Sequence, residues 1–294
     1  LATTVPRLPD HQAAALVTTY ARAVATRRMR TLGVLVAILA LAGVSGYLAE
    51  VKPLVLFANI GNFGSFLAKT VPPLTWANLP GDIAAWYWKF GGWMRLLWET
   101  LLIAFLGTLM GAIIAFFLCF LASANLVSTP AVRIIARRFL EFCRTVPDIV
   151  FALIFVIAFG IGPMAGVLAL SIHTVGALGK LFAEVVENID MKPVEGLTAT
   201  GASWVQNVRF AVLPQVLPGF ASYALLRFEI NVRGAGVMGF VGAGGIGQEF
   251  LVVIRSFYYT DVSAILLMLI ATVFIIDLVT EQIRHRLIGF GVAR

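Results

Sequence analysis

Charge is scarce in this sequence. Of its 294 residues 13% are Asp, Glu, Lys or Arg, about half the share that covers the surface of a soluble chain. With 60% hydrophobic residues and a mean hydropathy of +0.93, a water-soluble globular domain is excluded as the main architecture. A lipid bilayer is the solvent that suits such a composition. Cysteine and histidine are equally sparse, at two and three residues. Cys119 and Cys143 lie far apart without CxxC spacing, which argues against a disulfide framework or a zinc site. The histidines do not cluster with Cys, Asp or Glu, so no metal site is expected. Ser171 lies near His173, yet no acid completes a triad, and no catalytic residue is assigned. The net charge of +7 gathers beside apolar runs; it reports membrane topology, and no nucleic-acid partner is expected.

Two glycine patterns carry less than they first suggest. Gly242, Gly244 and Gly247 fit GxGxxG, with Asp261 farther on, but a dinucleotide site needs a strand before the glycines and a βαβ unit around them. Here a membrane helix precedes them. Gly242, Gly244, Gly245 and Gly247 are instead expected in an external gate or in close packing across a dimer axis. Gly176, Gly179 and Lys180 lack the first glycine of a phosphate loop, because residue 174 is Thr, and residue 181 is Leu. No ATP site is encoded in this chain.

What is present is a series of apolar runs long enough to cross a bilayer. The first covers about residues 32–48, after Arg27, Arg28 and Arg30. It is longer and lies deeper in the chain than the core of a signal peptide, so an uncleaved helix is expected. Five more follow at about 96–121, 146–159, 164–185, 212–240 and 262–283. Gly107 and Gly111 in the second have GxxxG spacing, which permits close helix approach. Between the first two runs, residues 49–94 carry Pro53, Pro72, Pro73 and Pro80 with Trp76, Trp86, Tyr87, Trp88 and Trp93. Prolines break helices and Trp and Tyr favour the interface, so this segment is expected outside, partly on the membrane surface. Arginines before the first run, around 133–144 and at 284–286 share one side. The positive-inside rule then places both termini in the cytoplasm. The chain divides into an N-terminal segment 1–30, a first helix 31–48, the external segment 49–94, a core 95–286 and a tail 287–294.

Residues 187–210 are too polar to span. Pro193 can start a helix, Gly201 can end it, and Pro214 turns the chain back toward the membrane, which predicts a short helix pair across the inner face. An amphipathic surface helix without a partner would read the same way. Here the residues carry a resemblance. Glu195, Gly196 and Leu197, then Gly201, then Ala211 to Pro214 keep the Glu, Gly and Leu-Pro spacing of the cytoplasmic signature of ABC importer permeases; an Ala pair and an Ile are replaced. The stretches FGIGPMAGVLALSIHTVG, VEGLTATGA, VLPQVLP, LLRFEINVR and VGAGGIG resemble those of phosphonate-type ABC permeases, over roughly residues 95–283.

That resemblance implies an all-α membrane protein of the type I importer class, with about six transmembrane helices and a coupling helix within 187–210. Glu195, Gly196, Leu197, Gly201, Leu213 and Pro214 would then contact a cytoplasmic ATPase. It implies a homodimeric pore in a bacterial inner membrane, two ATPase subunits that use ATP and Mg, and an external binding protein. The cargo would be a phosphonate, phosphate or related phosphorus oxyanion. A different small solute, such as an amino acid or a metal complex, is the alternative within the class. An ion-coupled secondary transporter would show inverted repeats, and none is evident.

Ionisable groups inside the fifth run are costly in lipid and face protein or water. Glu229 and Arg233 stand four residues apart in the favourable acid-before-base order, as a structural ion pair. Arg227 lies off that face and shares its own with Tyr223 and Asn231. Arg227, Asn231, Arg233, Tyr223 and His173 are the pathway residues to examine, because guanidinium matches phosphate oxygens in bidentate geometry. The competing reading pairs Arg227 with an acid such as Asp277, and gives His173 an interhelical hydrogen bond.

Overall fold

The computed structural model describes the backbone of residues 10–292 and the side chains of residues 19–286. The first nine residues of the N-terminal segment, and the side chains of the tail 287–294, lie outside the described residues. The chain separates into two compact units, Leu1–Phe66 and Leu67–Arg294. In the first, α1 (Asp10–Leu48) is one helix of 39 residues, joining part of the N-terminal segment to the first apolar run. Residues Thr19–Leu48 are long and apolar enough to cross a membrane, and their large apolar side chains are exposed. α2 (Pro53–Ala58) follows, and α3 (Ile60–Thr70) runs across the division.

The second unit is helical throughout its described residues: α4 (Leu79–Trp86), α5 (Phe90–Ala122), α6 (Pro130–Thr145), α7 (Asp148–Phe159), α8 (Pro163–Glu187), α9 (Lys192–Ala199), α10 (Trp204–Asn207), α11 (Leu213–Met238), α12 (Ile246–Arg255) and α13 (Tyr259–Val292). Prolines at the first turns of α6, α8, α9 and α11 start these helices, since a missing N–H costs nothing where no acceptor exists. Residues 208–212 form a π-helical turn into α11.

α8 is the axis of this unit; two thirds of its most apolar window is buried. α5 packs along it through Gly107 and Gly111. A Cβ on Gly111 would stand 2.6 Å from Cβ of Thr174, and one on Gly107 2.7 Å from Cβ of Leu170. The opposite side of α8 receives α6, where a Cβ on Gly176 would stand 2.5 Å from the Arg144 amide nitrogen. The glycine pair that faintly imitates a phosphate loop thus serves helix packing.

Three apolar clusters succeed one another along α5. Trp93 and Leu97 lie in one with Ile246 and Ile265; Ile103 and Ala104 join Leu170, Val232 and Met238; Cys119 and Phe120 join Phe182, Val212 and Phe220. Phe182 stacks on Phe220 with ring centroids 4.1 Å apart.

Two of the expected crossings take a different form. α7 has twelve residues, about 18 Å of helix, short of the ~30 Å hydrocarbon core. Its expected span is completed only with α6, from which it is bent by 83° at Pro147. α11 and α12 form a second bent pair, at 48°. Four helices of the described residues are long and apolar enough to span, and up to six spans result if each bent pair counts as one.

Candidate functional site

The centre of the second unit is a polar knot in an apolar surround. Asn231 of α11, 1% exposed, donates from Nδ2 to Oγ1 of Thr108 on α5 at 2.8 Å and to Oγ1 of Thr174 on α8 at 2.9 Å. One amide therefore ties three helices. Thr108 passes its own proton to the Ala104 carbonyl. Gly111 lets α5 come close enough to Thr174 for this contact.

Arg227 lies one turn before Asn231 on the same face and is 9% exposed. Nη2 donates to Nδ1 of His173 at 2.5 Å, and Nε points to Oγ1 of Thr174 at 3.4 Å. Both partners are formally neutral. Because a guanidinium can only donate, Nδ1 of His173 is the bare nitrogen and Nε2 carries the proton. The Asp148 carboxylate, at the start of α7, lies 3.5 Å from where a Cβ on Gly234 of α11 would stand. No carboxylate of the described residues lies within ion-pair distance of Arg227. Asp277, offered above as its partner, is instead 3.0 Å from Arg233, which also meets Glu229 at 2.5 Å. Arg233 thus holds two acids across α11 and α13, with nearly half of its side chain exposed.

Tyr223 stands apart from this cluster. It lines an open crevice of about 430 Å³ with Glu184, Asn188 and Gln215. Of the pathway residues read from the sequence, the structure gathers Arg227, Asn231 and His173, while Tyr223 and Arg233 sit elsewhere. Thr108, Thr174 and Asp148 were not singled out. The signal for Asp148 was present, since a carboxylate opening an apolar run is costly there; single threonines in such runs carry no comparable signal.

At one end of the unit the glycine segment wraps α12. Gly242, Gly244 and Gly245 adopt φ of +87°, +85° and +75°, a region closed to most side chains. The Gly245 amide donates to Glu99 at 3.1 Å and the Ile246 amide to Oγ1 of Thr100 at 2.9 Å, so α5 caps the first turn of α12. Gly247 packs on the Gly236 carbonyl. Nearby, Trp86 donates to the Thr260 carbonyl and Lys89 pairs with Glu249 at 2.5 Å.

The opposite end carries α9 and α10. Val194 is buried and Leu197 half-buried, while Glu195, Gly196 and Gly201 are exposed. Gly201 has φ +85° and closes α9. Leu213 is half-buried and Pro214 exposed at the start of α11. Trp204 donates to the Leu126 carbonyl at 3.0 Å, and Asp190 and Gln215 bond reciprocally. α9 is therefore fixed to the helices behind it, with Glu195 outward and without a partner among the described residues.

Residues 107–289 match the family described as the binding-protein-dependent transport system inner membrane component. The chain belongs to that family. It is 42% identical, over 73% of its own length and 77% of the relative's, to the phosphite transport system permease protein PtxC of Stutzerimonas stutzeri. It is 37% identical to the phosphate-import permease protein PhnE of Mycolicibacterium smegmatis, over 83% of this chain and 44% of that one. Among solved structures, the inward-facing MetNI methionine ABC transporter superposes with a TM-score of 0.60 at 22% identity, covering 66% of this chain and 95% of that one. A bacterial ABC transporter for import of alginate superposes at 0.58 with 14% identity, covering 82% and 96%. These likenesses establish the type I importer permease fold. The permease is thus a membrane component of a transport system, with α9 on one exposed end and the Arg227 cluster in its interior.

Proposed function

We propose that the permease forms the pore of an ATP-driven importer for phosphite, phosphate or a phosphonate, and that Arg227 lies on the cargo's path. The observation that supports this most is the state of Arg227: buried and, among the described residues, hydrogen-bonded to neutral groups alone with no carboxylate in ion-pair reach. A guanidinium offers five donors and the contacts of the described residues engage two of its nitrogens, so capacity remains for an oxyanion. Relatives named for phosphite and phosphate transport support the same cargo class. Modest affinity suits a pore, because release must follow entry.

In this reading both termini are cytoplasmic, as the arginine distribution favours, and two copies form the pore. A separate ATPase binds α9 through Glu195 and its neighbours and uses ATP and Mg; this chain holds no cofactor. An external binding protein delivers cargo at the end that carries the glycine segment. One of the structural neighbours is an alginate transporter in complex with its periplasmic protein, which supports that arrangement.

The test is ATP hydrolysis by the permease reconstituted in lipid with its ATPase and binding protein, with phosphate, phosphite and methylphosphonate supplied in turn. Stimulation by one of them, lost in Glu195→Ala, is the expected result. Absence of stimulation by all three, with stimulation by an amino acid or metal complex, would transfer the pore to another cargo.

A further inference from the structure

α6 carries two apolar stripes, and only one of them is covered. Ala136, Leu140 and Cys143 are buried; spaced by four and three residues, they share one face, and Leu140 fills the space that Gly179 of α8 leaves open. Val132, Ile135, Phe139 and Phe142 are exposed and, at spacings of three, four and three, form a second flank beside the first. On a helix of 3.6 residues per turn, Arg138 borders that flank, while Arg133, Arg137 and Arg144 lie on the side away from it.

The helix meets α8 at the level where charge begins. From Pro163 to Gly179 α8 has no Asp, Glu, Lys or Arg, and Lys180 is the first. Residues 163–179 rise about 25 Å, close to the ~30 Å hydrocarbon core of a bilayer. α7 is uncharged after Asp148 and joins α8 through residues 160–162, so the two share the hydrocarbon. α6, bent from α7 by 83°, therefore leaves sideways along the rim. This is the rim that carries α9, because Ala136 and Leu140 share an apolar cluster with Val194.

The charges here do not balance. Arg137 pairs with Glu187 and donates to the Ala122 carbonyl, Lys180 pairs with Glu184, and Arg138 pairs with Glu141. Arg133 and Arg144 have no side-chain partner among the described residues. The Arg138–Glu141 pair is exposed and such pairs contribute little, so Arg138 can exchange its partner. We propose that α6 docks in the anionic headgroup layer of the leaflet at the α9 end, with the Ile135–Phe139 flank at the acyl boundary and Arg133, Arg138 and Arg144 on lipid phosphates. Charge complementarity selects this cover. A helix with apolar side chains on one face and arginines around the other fits an acyl layer beneath phosphates, and long arginine stems let guanidinium reach the headgroups. A second copy of this chain would instead bring a net charge of +7 toward the arginines.

The experiment places the full chain in nanodiscs of phosphatidylcholine alone or mixed with phosphatidylglycerol, and reads retained lipid by native mass spectrometry. Phosphatidylglycerol is retained in preference, and the preference falls as salt is raised. Arg133→Gln, Arg138→Gln and Arg144→Gln together lower it, by roughly fivefold per guanidinium. The corresponding Arg→Lys changes restore most of it, and Arg255→Gln, exposed at the opposite end, leaves it unchanged. Equal retention of the two lipids, or a preference indifferent to salt and to the three substitutions, overturns the headgroup contact. So does loss of the preference to inorganic phosphate but not to chloride at equal ionic strength, since the arginines would then hold free phosphate. The salt series needs no substitution and decides the matter even where the triple variant fails to assemble. The flank is read separately, by a spin label at Ile135→Cys with Cys119 and Cys143 replaced by alanine. Molecular oxygen reaches the label and a water-soluble nickel complex does not. Access for the nickel complex means open water on the flank; shielding from both means that protein covers it, a second copy where the spins broaden each other. Either outcome overturns the docking.

Discussion

Arg227 donates to Nδ1 of His173 across the interface of α8 and α11, and no carboxylate among the described residues comes within ion-pair distance of that guanidinium. A buried charge without a counter-ion at contact distance is expensive. The expense is tolerable where an anion visits, and it makes the residue sensitive to substitution in a definite way. Arg227→Lys keeps the charge but loses the planar fork. Uptake is expected to fall by roughly ten- to a hundredfold, as loss of one or two bonds to a charged group implies, while the amount of assembled complex stays unchanged. Radiolabelled phosphate or phosphite uptake, normalised to assembled permease, checks this.

Asn231 answers a stability question rather than a transport one. Its amide joins Thr108 and Thr174, and it is almost fully buried. Asn231→Ala leaves two buried hydroxyls short of a donor at the crossing of three helices. The expected loss is about 1–3 kcal/mol, read as a lower thermal midpoint in nanodiscs. A midpoint equal to that of the parent chain would show that water replaces the amide there.

The approach of α5 to α8 at Gly111 leaves no room for a methyl group. Gly111→Ala sets a Cβ 2.6 Å from that of Thr174, and the helices must separate, at about 1–3 kcal/mol for overpacking. The control is Gly64→Ala in α3, where nothing lies within 4 Å of the added atom. Equal midpoints for the two variants would contradict the packing.

Glu195 is exposed on α9, and its side chain makes no hydrogen bond or ion pair among the described residues. Glu195→Ala is therefore expected to alter stability by less than about 0.5 kcal/mol and yet to sever stimulation of the ATPase. Co-purification of the two subunits and cargo-stimulated hydrolysis measure the second effect, and a thermal midpoint measures the first.

A pH effect is expected outside the membrane-spanning helices. Asp82 accepts from the hydroxyl and the amide of Thr75, each at 2.7 Å, and these bonds hold its carboxyl below the ordinary value of 3.8. The folded form therefore favours the ionised state. The anchoring is complete above the ordinary carboxylate range and is lost as pH falls through the lowered value. The protection of the Thr75 amide against hydrogen exchange, relative to its intrinsic rate at each pH, should fall only in acid, and Asp82→Asn should remove that dependence.

Much of the fold was legible because lipid imposes a simple rule on composition. Runs of apolar residues marked the helices around Phe90–Ala122, Pro163–Glu187 and Tyr259–Arg286, and the Pro and Gly positions marked the ends of α8, α9 and α11. The α6–α7 corner was harder. Residues 130–145 are amphipathic, with four arginines, and fall between two apolar runs; packing of Leu140 and Arg144 against Gly179 and Gly176 makes them a helix. Local pattern cannot register a helix whose stability comes from a neighbour's missing side chains.

The candidate site divides in the same way. Arg227, Asn231 and His173 stood out because polar groups in apolar runs are rare and must be satisfied. Which group satisfies which is a matter of helix register across interfaces: the sequence left Asp277 open as a partner for Arg227, and the packing of α11 on α13 hands it to Arg233. By itself the sequence determined that this chain lives in a bilayer, where several of its helices begin and end, and that its Glu195–Pro214 pattern resembles that of importer permeases. Only the tertiary structure decided that Arg227 has no carboxylate within ion-pair distance among the described residues, that three helices share one asparagine, and that His173 is the group that accepts from Arg227. Burial and periodicity are properties of one segment, whereas pairing depends on the distance between segments, set by the glycines that let α5, α6 and α8 approach.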